Sequence, residues 1–167
     1  MMMWKVLNCP KADFFFRTND DSIVNTLNLK YFTDYEKKQP LQKESKKIYG
    51  RLFKELLVCR ETKYKWYVSE ADFNETVYPD FCDGGACIYT NNAMRAIIEK
   101  MPETRYFWVD DVLYGGILAQ KGNVTLIDRW DLFRHLSNDD YLKYKAGRYS
   151  WMNFVSLHVD FIDSLLP

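Results

Sequence analysis

Ala12-Asp13-Phe14-Phe15-Phe16-Arg17, followed at once by Thr18-Asn19-Asp20-Asp21-Ser22, is the stretch on which the reading of the fold turns. The first six residues are a short β-prone run and the polar cluster after them marks a loop. Together they read as a buried strand that stops at an acidic turn. From Ser22 onward Ile23, Leu27 and Tyr31 recur at i, i+4 and i+8, with Val24 beside Ile23. That spacing predicts a helix capped by Asp21 or Ser22.

Working outward, residues 34–47 are rich in lysine and glutamine with one proline, and read as a solvated linker or surface loop. Ile48 to Cys59 reads as a strand, and Lys65-Trp66-Tyr67-Val68 as a second short β-prone piece. In Tyr78-Pro79-Asp80-Phe81-Cys82-Asp83-Gly84-Gly85-Ala86 a proline precedes paired glycines, which permits a sharp turn and a close backbone approach to another segment or a ligand. Asn91 or Asn92 can cap a helix through Ala93, Ile97 and Met101 that ends near Pro102. Phe107-Trp108-Val109 leads into Asp110-Asp111, and Ile117-Leu118-Ala119 continues as a helix that Gly122 terminates. The remainder is aromatic-rich, with Trp130, Phe133, Tyr141, Tyr144, Tyr149, Trp151 and Phe154. Strands alternating with helices predict a single α/β domain over residues 1–167.

The chain balances 23 Lys+Arg against 23 Asp+Glu, which removes the basic footprint that nucleic-acid binding needs. Hydrophobic residues make up 47%, enough to bury a core and to exclude wholesale disorder. No apolar run is long enough to span a membrane. Met1-Met2-Met3-Trp4-Lys5-Val6-Leu7 is too short for a signal peptide. Cys9, Cys59, Cys82 and Cys87 permit three two-disulfide pairings or four buried thiols, and their spacing is not that of a zinc ribbon. Asn74-Glu75-Thr76 and Asn123-Val124-Thr125 are glycan-acceptor sequons that would matter in a secretory lumen.

Two acidic clusters each follow a β-prone run: Asn19-Asp20-Asp21 and Asp110-Asp111. Ligands collect at the carboxyl ends of strands in open α/β sheets. Grouped carboxylates repel one another until a divalent cation binds, and oxygen donors suit Mg²⁺ or Mn²⁺. The plainer alternative is that Asp21 caps one helix and Asp110-Asp111 open another. His135 and His158, the only two histidines, are possible further ligands. The sequence contains no G-x-S-x-G elbow, no G-x-G-x-x-G and no Walker-type phosphate loop.

Read in order, these pieces resemble one family. The segment from Cys9-Pro10-Lys11-Ala12 to Arg17-Thr18-Asn19-Asp20-Asp21-Ser22-Ile23-Val24-Asn25 is similar to the C-P-x-A…K-x-D-D-D-x-F-V-N of the β-1,3-galactosyltransferase-like family, glycosyltransferase family 31. Lys65-Trp66-Tyr67-Val68-Ser69 resembles its K-W-Y-V-S, residues 78–86 its Y-P-x-Y-C-x-G-G-G, and Asp110-Asp111-Val112 with Gly115 its E-D-V-x-x-G. Val155-Ser156-Leu157-His158 resembles a late V-x-x-H. The resemblance implies a GT-A-type, Rossmann-like glycosyltransferase fold and an enzyme that moves galactose or N-acetylglucosamine from a UDP-sugar, with inversion, to a glycan acceptor on a glycoprotein or glycolipid.

It further implies Mn²⁺ held by the triplet at Asn19, Asp20 and Asp21, with Asp21 the direct ligand, His158 a second and His135 in reserve. Asp111, next to Asp110, would be the general base. Gly84 and Gly85 would let backbone approach a sugar, and Trp66 with Tyr67 would supply a stacking wall. The family is membrane-anchored and works in the Golgi, so a Golgi-lumenal setting is implied.

Three departures stand out. Asn19 replaces an aspartate, Asp110 replaces a glutamate, and Ile117 stands where many relatives have the cysteine that partners the one at Cys82. The family's anchor, stem and first nucleotide-binding strands have no counterpart ahead of Cys9, which implies a fold incomplete at its N-terminus. The alternative function is a catalytically inactive paralogue kept as a sugar-binding or interaction module.

Overall fold

The computed structural model describes residues 1–40, 44–135, 146 and 154–158. It is a mixed α/β arrangement built on a four-stranded sheet in the order β1-β4-β3-β5, with β1 Phe14–Thr18, β3 Lys47–Phe53, β4 Phe81–Thr90 and β5 Thr125–Asp128. Within this sheet β4 runs antiparallel to both β1 and β3, and β3 and β5 are parallel. A second sheet joins β2 Ser22–Val24, β7 Ser156–His158 and β6 Phe133–His135. Tyr141, Tyr144, Tyr149 and Trp151 of the aromatic tail lie outside the described residues.

β4 is buried along almost its whole length because both faces of the sheet are covered. Ile48, Cys87 and Tyr89 point into one core with Met94 and Ile97 of helix α3, Asn91–Lys100, and with Val112 and Leu118. Tyr49, Ala86 and Ile88 point the other way, onto Phe32 of α2, Thr26–Lys37, and onto Phe133 and Val155. This alternation is the two-residue period of a strand sandwiched between layers. Buried on the α2 side, Tyr49 Oη donates to Glu36 Oε2 at 2.6 Å. The first helix, α1 Met2–Asn8, is tied to α3 by Lys5, whose Nζ donates to Asn91 Oδ1 at 2.6 Å and Ala12 O at 2.7 Å.

Several expectations are corrected. Residues 22–24 are strand, not the first turn of a helix: Ser22 pairs with His158 and Val24 with Ser156. Helix α2 begins at Thr26, and its cap is Asn25, whose Oδ1 accepts from Asn28 N at 3.0 Å, so neither Asp21 nor Ser22 caps it. The apolar face expected at Ile23, Leu27 and Tyr31 is exposed, and the buried side carries Phe32 and Glu36. Residues 34–37 continue α2 and β3 begins at Lys47, so the surface loop is shorter than 34–47.

The strand expected from Ile48 to Cys59 stops at Phe53, and residues 65–68 form no strand. Arg60 organises that loop instead, donating to Val68 O at 2.9 Å, Phe73 O at 2.7 Å and Glu75 O at 2.8 Å. The paired glycines sit inside β4 rather than at a sharp turn. Thr90, not Asn91 or Asn92, caps α3. Phe107-Trp108-Val109 is not a strand. It leads directly into α4 Asp110–Val112, a π-helical segment Leu113–Ile117 and α5 Leu118–Lys121, which ends at Gly122 as expected. Among the described residues no helix is long and apolar enough to cross a membrane.

Candidate functional site

The site is assembled by an irregularity in β4. Gly50 of β3 pairs with Cys87 and Leu52 pairs with Cys82, so residues 83–86 bulge out opposite Arg51 alone. A bulge bends its strand and re-aims the residues it carries. This one presents Gly84 and Gly85 to a cleft of about 510 Å³, whose wall includes Asn19, Trp66, Asp83, Asp110, Asp111, His135 and His158.

The acidic turn after β1 is fastened to the bulge. Asn19 N donates to Gly85 O at 3.1 Å, and the hydroxyls of Thr18 and Ser22 both donate to the same oxygen at 3.2 Å. The pairing of Ser22 with His158 then sets Asp21 Oδ1 at 3.0 Å from His158 Nδ1. A Cβ built on Gly85 would lie 3.3 Å from His158 Cγ, so only glycine lets that ring lie flush on the strand. Asp20 is exposed.

Asp111 reaches the bulge from the opposite side. As the second residue of α4 it is held by Val112 N, which donates to its Oδ1 at 2.9 Å, and by Gly84 N, which donates to Oδ2 at 3.3 Å. A Cβ on Gly84 would fall 3.2 Å from Asp111 Cβ. Burial pushes the Asp111 carboxyl above the usual carboxylate range, and the charges of Asp110 and Asp83 add to that push. Asp110 differs in kind: it is largely exposed and its Oδ2 meets Arg17 Nη2 at 2.6 Å. Of the two, Asp111 is the one that the glycine bulge contacts directly. Asp111 and His158 therefore lie against consecutive residues, Gly84 and Gly85, of one strand.

Asp83 and His135 form a further pair that sequence reasoning did not single out as a unit. His135 Nε2 contacts Asp83 Oδ2, and the His135 and His158 rings stand with centroids 4.9 Å apart. Burial alone would raise the Asp83 carboxyl. The His135 hydrogen bond and charge, the Gly85 amide and His158 outweigh it and hold the group below its ordinary value. The sole sequence signal was a carboxylate next to the paired glycines. The parallel pairing of β6 with β7 that delivers His135 joins segments whose pairing no local spacing announces.

As donors for a divalent ion, Asp21 and His158 fit in type: a carboxylate oxygen sealed from solvent beside an imidazole nitrogen, with Asn19 lining the same cleft. Among the described residues no group of three or more His, Cys, Asp or Glu side chains is arranged to hold a metal. Mg²⁺-like ions commonly leave the remaining positions to water and substrate phosphate oxygens. Trp66 borders the cleft, half-exposed and stacked on Trp108 with centroids 6.2 Å apart and planes at 3°. Leu56 and Leu57 extend an apolar wall beside it. All four cysteines are free thiols, with Cys82 and Cys87 buried.

Comparison with known proteins follows the same residues. Residues 1–129 match the family model described as Galactosyltransferase. The chain is 28% identical over 123 residues to human N-acetyllactosaminide beta-1,3-N-acetylglucosaminyltransferase 4, covering 73% of this chain and 31% of that protein. It is 29% identical over 125 residues to Beta-1,3-galactosyltransferase 1 of Mus musculus, covering 72% and 36%. It is 26% identical over 122 residues to UDP-GlcNAc:betaGal beta-1,3-N-acetylglucosaminyltransferase 7 of Rattus norvegicus, covering 72% and 29%. The chain thus spans about a third of the length of the relatives it matches. The matched region carries the acidic turn, the glycine bulge and the Asp110-Asp111 helix start, and the chain belongs to the galactosyltransferase family.

Proposed function

We propose that this chain forms the acceptor-activating and diphosphate-facing part of an inverting hexosyltransferase of GT-A type. Its donor is a UDP-sugar carrying galactose or N-acetylglucosamine, and its acceptor is a hydroxyl of a glycan on a glycoprotein or glycolipid. The observation that carries this is that Asp111 and His158, the latter paired with Asp21, lie against the consecutive glycines Gly84 and Gly85 and line one cleft. One carboxylate placed as a base, lining the same cleft as an imidazole beside a second carboxylate, is an arrangement that suits a single in-line displacement. The matched relatives, named as β-1,3-galactosyl- and N-acetylglucosaminyltransferases, support the same reading.

In this mechanism Asp111 takes the proton of the acceptor hydroxyl as that oxygen attacks the anomeric carbon. The new bond forms on the face opposite the departing diphosphate, which keeps the electron pair of the broken bond. The raised proton affinity of Asp111 strengthens it as a base, and its bonds from Val112 N and Gly84 N fix its orientation without making it a weak one. Asp21 and His158 would hold Mn²⁺, with Asn19 offering its amide oxygen. When bound, the ion offsets the charge growing on the diphosphate. Arg17 neutralises Asp110, leaving Asp111 as the one carboxylate of the pair turned to the acceptor. Trp66 and the leucines beside it supply an apolar wall for a pyranose ring. The setting that goes with this reading is the Golgi lumen.

Titration of UDP with and without Mn²⁺ tests the proposal. Metal-dependent binding that Asp21→Ala abolishes and Asp111→Ala leaves intact, with transfer lost in both, is the expected result. Asn19, in place of an acidic ligand, favours a second reading in which the fold keeps sugar binding without catalysis. Absence of UDP binding at millimolar concentration, with retained glycan binding, would establish that reading and overturn the first.

A further inference from the structure

The bulge in β4 does more than shape the cleft: it brings two cysteines together. Cys82 and Cys87 are five residues apart in sequence, yet they pair with Leu52 and Gly50, which are only two apart on β3. Two residues along a strand span roughly 6.6 Å, inside the Cα separation that a disulfide bridges. Residues two apart on a strand share a face, and Cys82 and Cys87 are both buried in the same core. Gly50 makes the room between them. A Cβ built there would lie 3.3 Å from Cys82 Cβ and 3.3 Å from Cys87 Sγ, so the space the two sulfurs share is the space a side chain at position 50 would fill.

We propose that Cys82 and Cys87 are a disulfide site, closed as the chain folds, that locks the bulge carrying Gly84 and Gly85. Ile117, in the π-helical segment whose Gly115 packs on Cys82, offers that cysteine no thiol partner. Cys87, on the same strand, provides a partner from another direction. The bond forms by thiol–disulfide exchange with a small-molecule disulfide such as oxidised glutathione. One cysteine, as thiolate, attacks a glutathione sulfur and releases glutathione thiolate. The other cysteine, as thiolate, then displaces the second glutathione. The two cysteines lose two electrons and two protons, and one glutathione disulfide becomes two thiols. In the folded reduced chain the neighbouring Cys82 thiol and burial hold Cys87 well above the usual thiol range, and its Sγ donates to Asp83 O at 2.8 Å. Such a thiol is a poor nucleophile. Exchange therefore belongs to the folding chain, before the core closes over it.

The test is refolding of the denatured, reduced full chain in mixed oxidised and reduced glutathione, beside a sample refolded in excess reductant. Both are then denatured, alkylated and cut with trypsin. Cys82 and Cys87 fall in one peptide, residues 66–95, while Cys9 and Cys59 fall in two others. The expected result is a 66–95 peptide lighter by two hydrogens and unalkylated after oxidative refolding, and doubly alkylated in the reduced control. Cys87→Ser should return Cys82 to the alkylated pool. A variant with Cys9→Ser and Cys59→Ser removes mispairing and should still give the light peptide. Double alkylation of 66–95 in that variant, or linkage of Cys82 or Cys87 to Cys9 or Cys59 in the natural sequence, overturns the proposal.

Discussion

In the proposed mechanism Gly84 and Gly85 divide the chemistry of the cleft between them, and placing a methyl group on each in turn should separate its two halves. In Gly84→Ala the new Cβ falls 3.2 Å from Asp111 Cβ and 3.4 Å from its Oδ2. Carbon atoms rest at about 3.5–4.0 Å, so Asp111 must retreat by roughly 0.3–0.8 Å. A misplacement of ~1 Å in a reacting group costs about 100-fold. Scaled to this retreat, kcat should fall roughly 4- to 40-fold, on the order of 1–2 kcal/mol in the barrier. In Gly85→Ala the Cβ instead meets His158, 3.3 Å from Cγ and 3.4 Å from Nδ1. That ring must tilt away from Asp21, so the KM for the UDP-sugar and the Mn²⁺ concentration for half-activity should rise, with kcat at saturation changed by less than about threefold. Steady-state kinetics with varied donor and metal reads both. If the two variants shift the same parameter to the same extent, the division of labour derived from the bulge is wrong.

Three further outcomes follow from the packing and electrostatics. Asp111→Asn should abolish transfer while raising the midpoint of thermal unfolding at about pH 7. A carboxyl whose proton affinity is raised by folding destabilises the charged folded state once pH climbs past that raised value. The gain should therefore vanish as pH drops below about 4, where the group is protonated folded and unfolded alike; a gain that persists in acid would contradict burial as the cause. Gly115→Ala should destabilise by about 1–3 kcal/mol, because its Cβ would sit 2.9 Å from the Cys82 backbone oxygen, which cannot yield as a side chain can; urea unfolding reads this, and a change under about 0.5 kcal/mol would be inconsistent with the close packing of the π-helical segment on β4. Tyr49→Phe should cost about 1.5–3 kcal/mol by stripping the buried Glu36 of its 2.6 Å donor, again by denaturant titration.

The parts of this fold that were legible in the sequence are those fixed by short-range chemistry. The triple phenylalanine run is strand β1, the acidic residues do follow it, and Gly122 does end the helix that Asp110 starts. The failures share one cause. Ile23, Leu27 and Tyr31 have helical spacing, but Ser22–Val24 is drawn into a strand by pairing with Ser156–His158, far along the chain. That long-range ladder outweighs the local pattern. The paired glycines carried a turn signal, yet helices and a second sheet cover both faces of β4, and the glycines serve instead to admit Asp111 and His158. The order of four motifs marked Asp21 and Asp111 as related, and the late V-x-x-H resemblance added His158. Asp83 with His135, and Arg17 with Asp110, join residues from separate elements and left no spacing to read.

The central claim is that one cation, held by Asp21 and His158, sits beside the glycine bulge on whose other side Asp111 waits for the acceptor. Crystals grown with UDP and Mn²⁺, measured for anomalous scattering at the manganese edge, test it most directly. The account predicts a single strong peak within coordinating distance of the Asp21 carboxylate and the His158 imidazole, bridged to the diphosphate, with Asp111 outside the coordination shell. A peak ligated by Asp111, or one remote from Asp21 and His158, would contradict it.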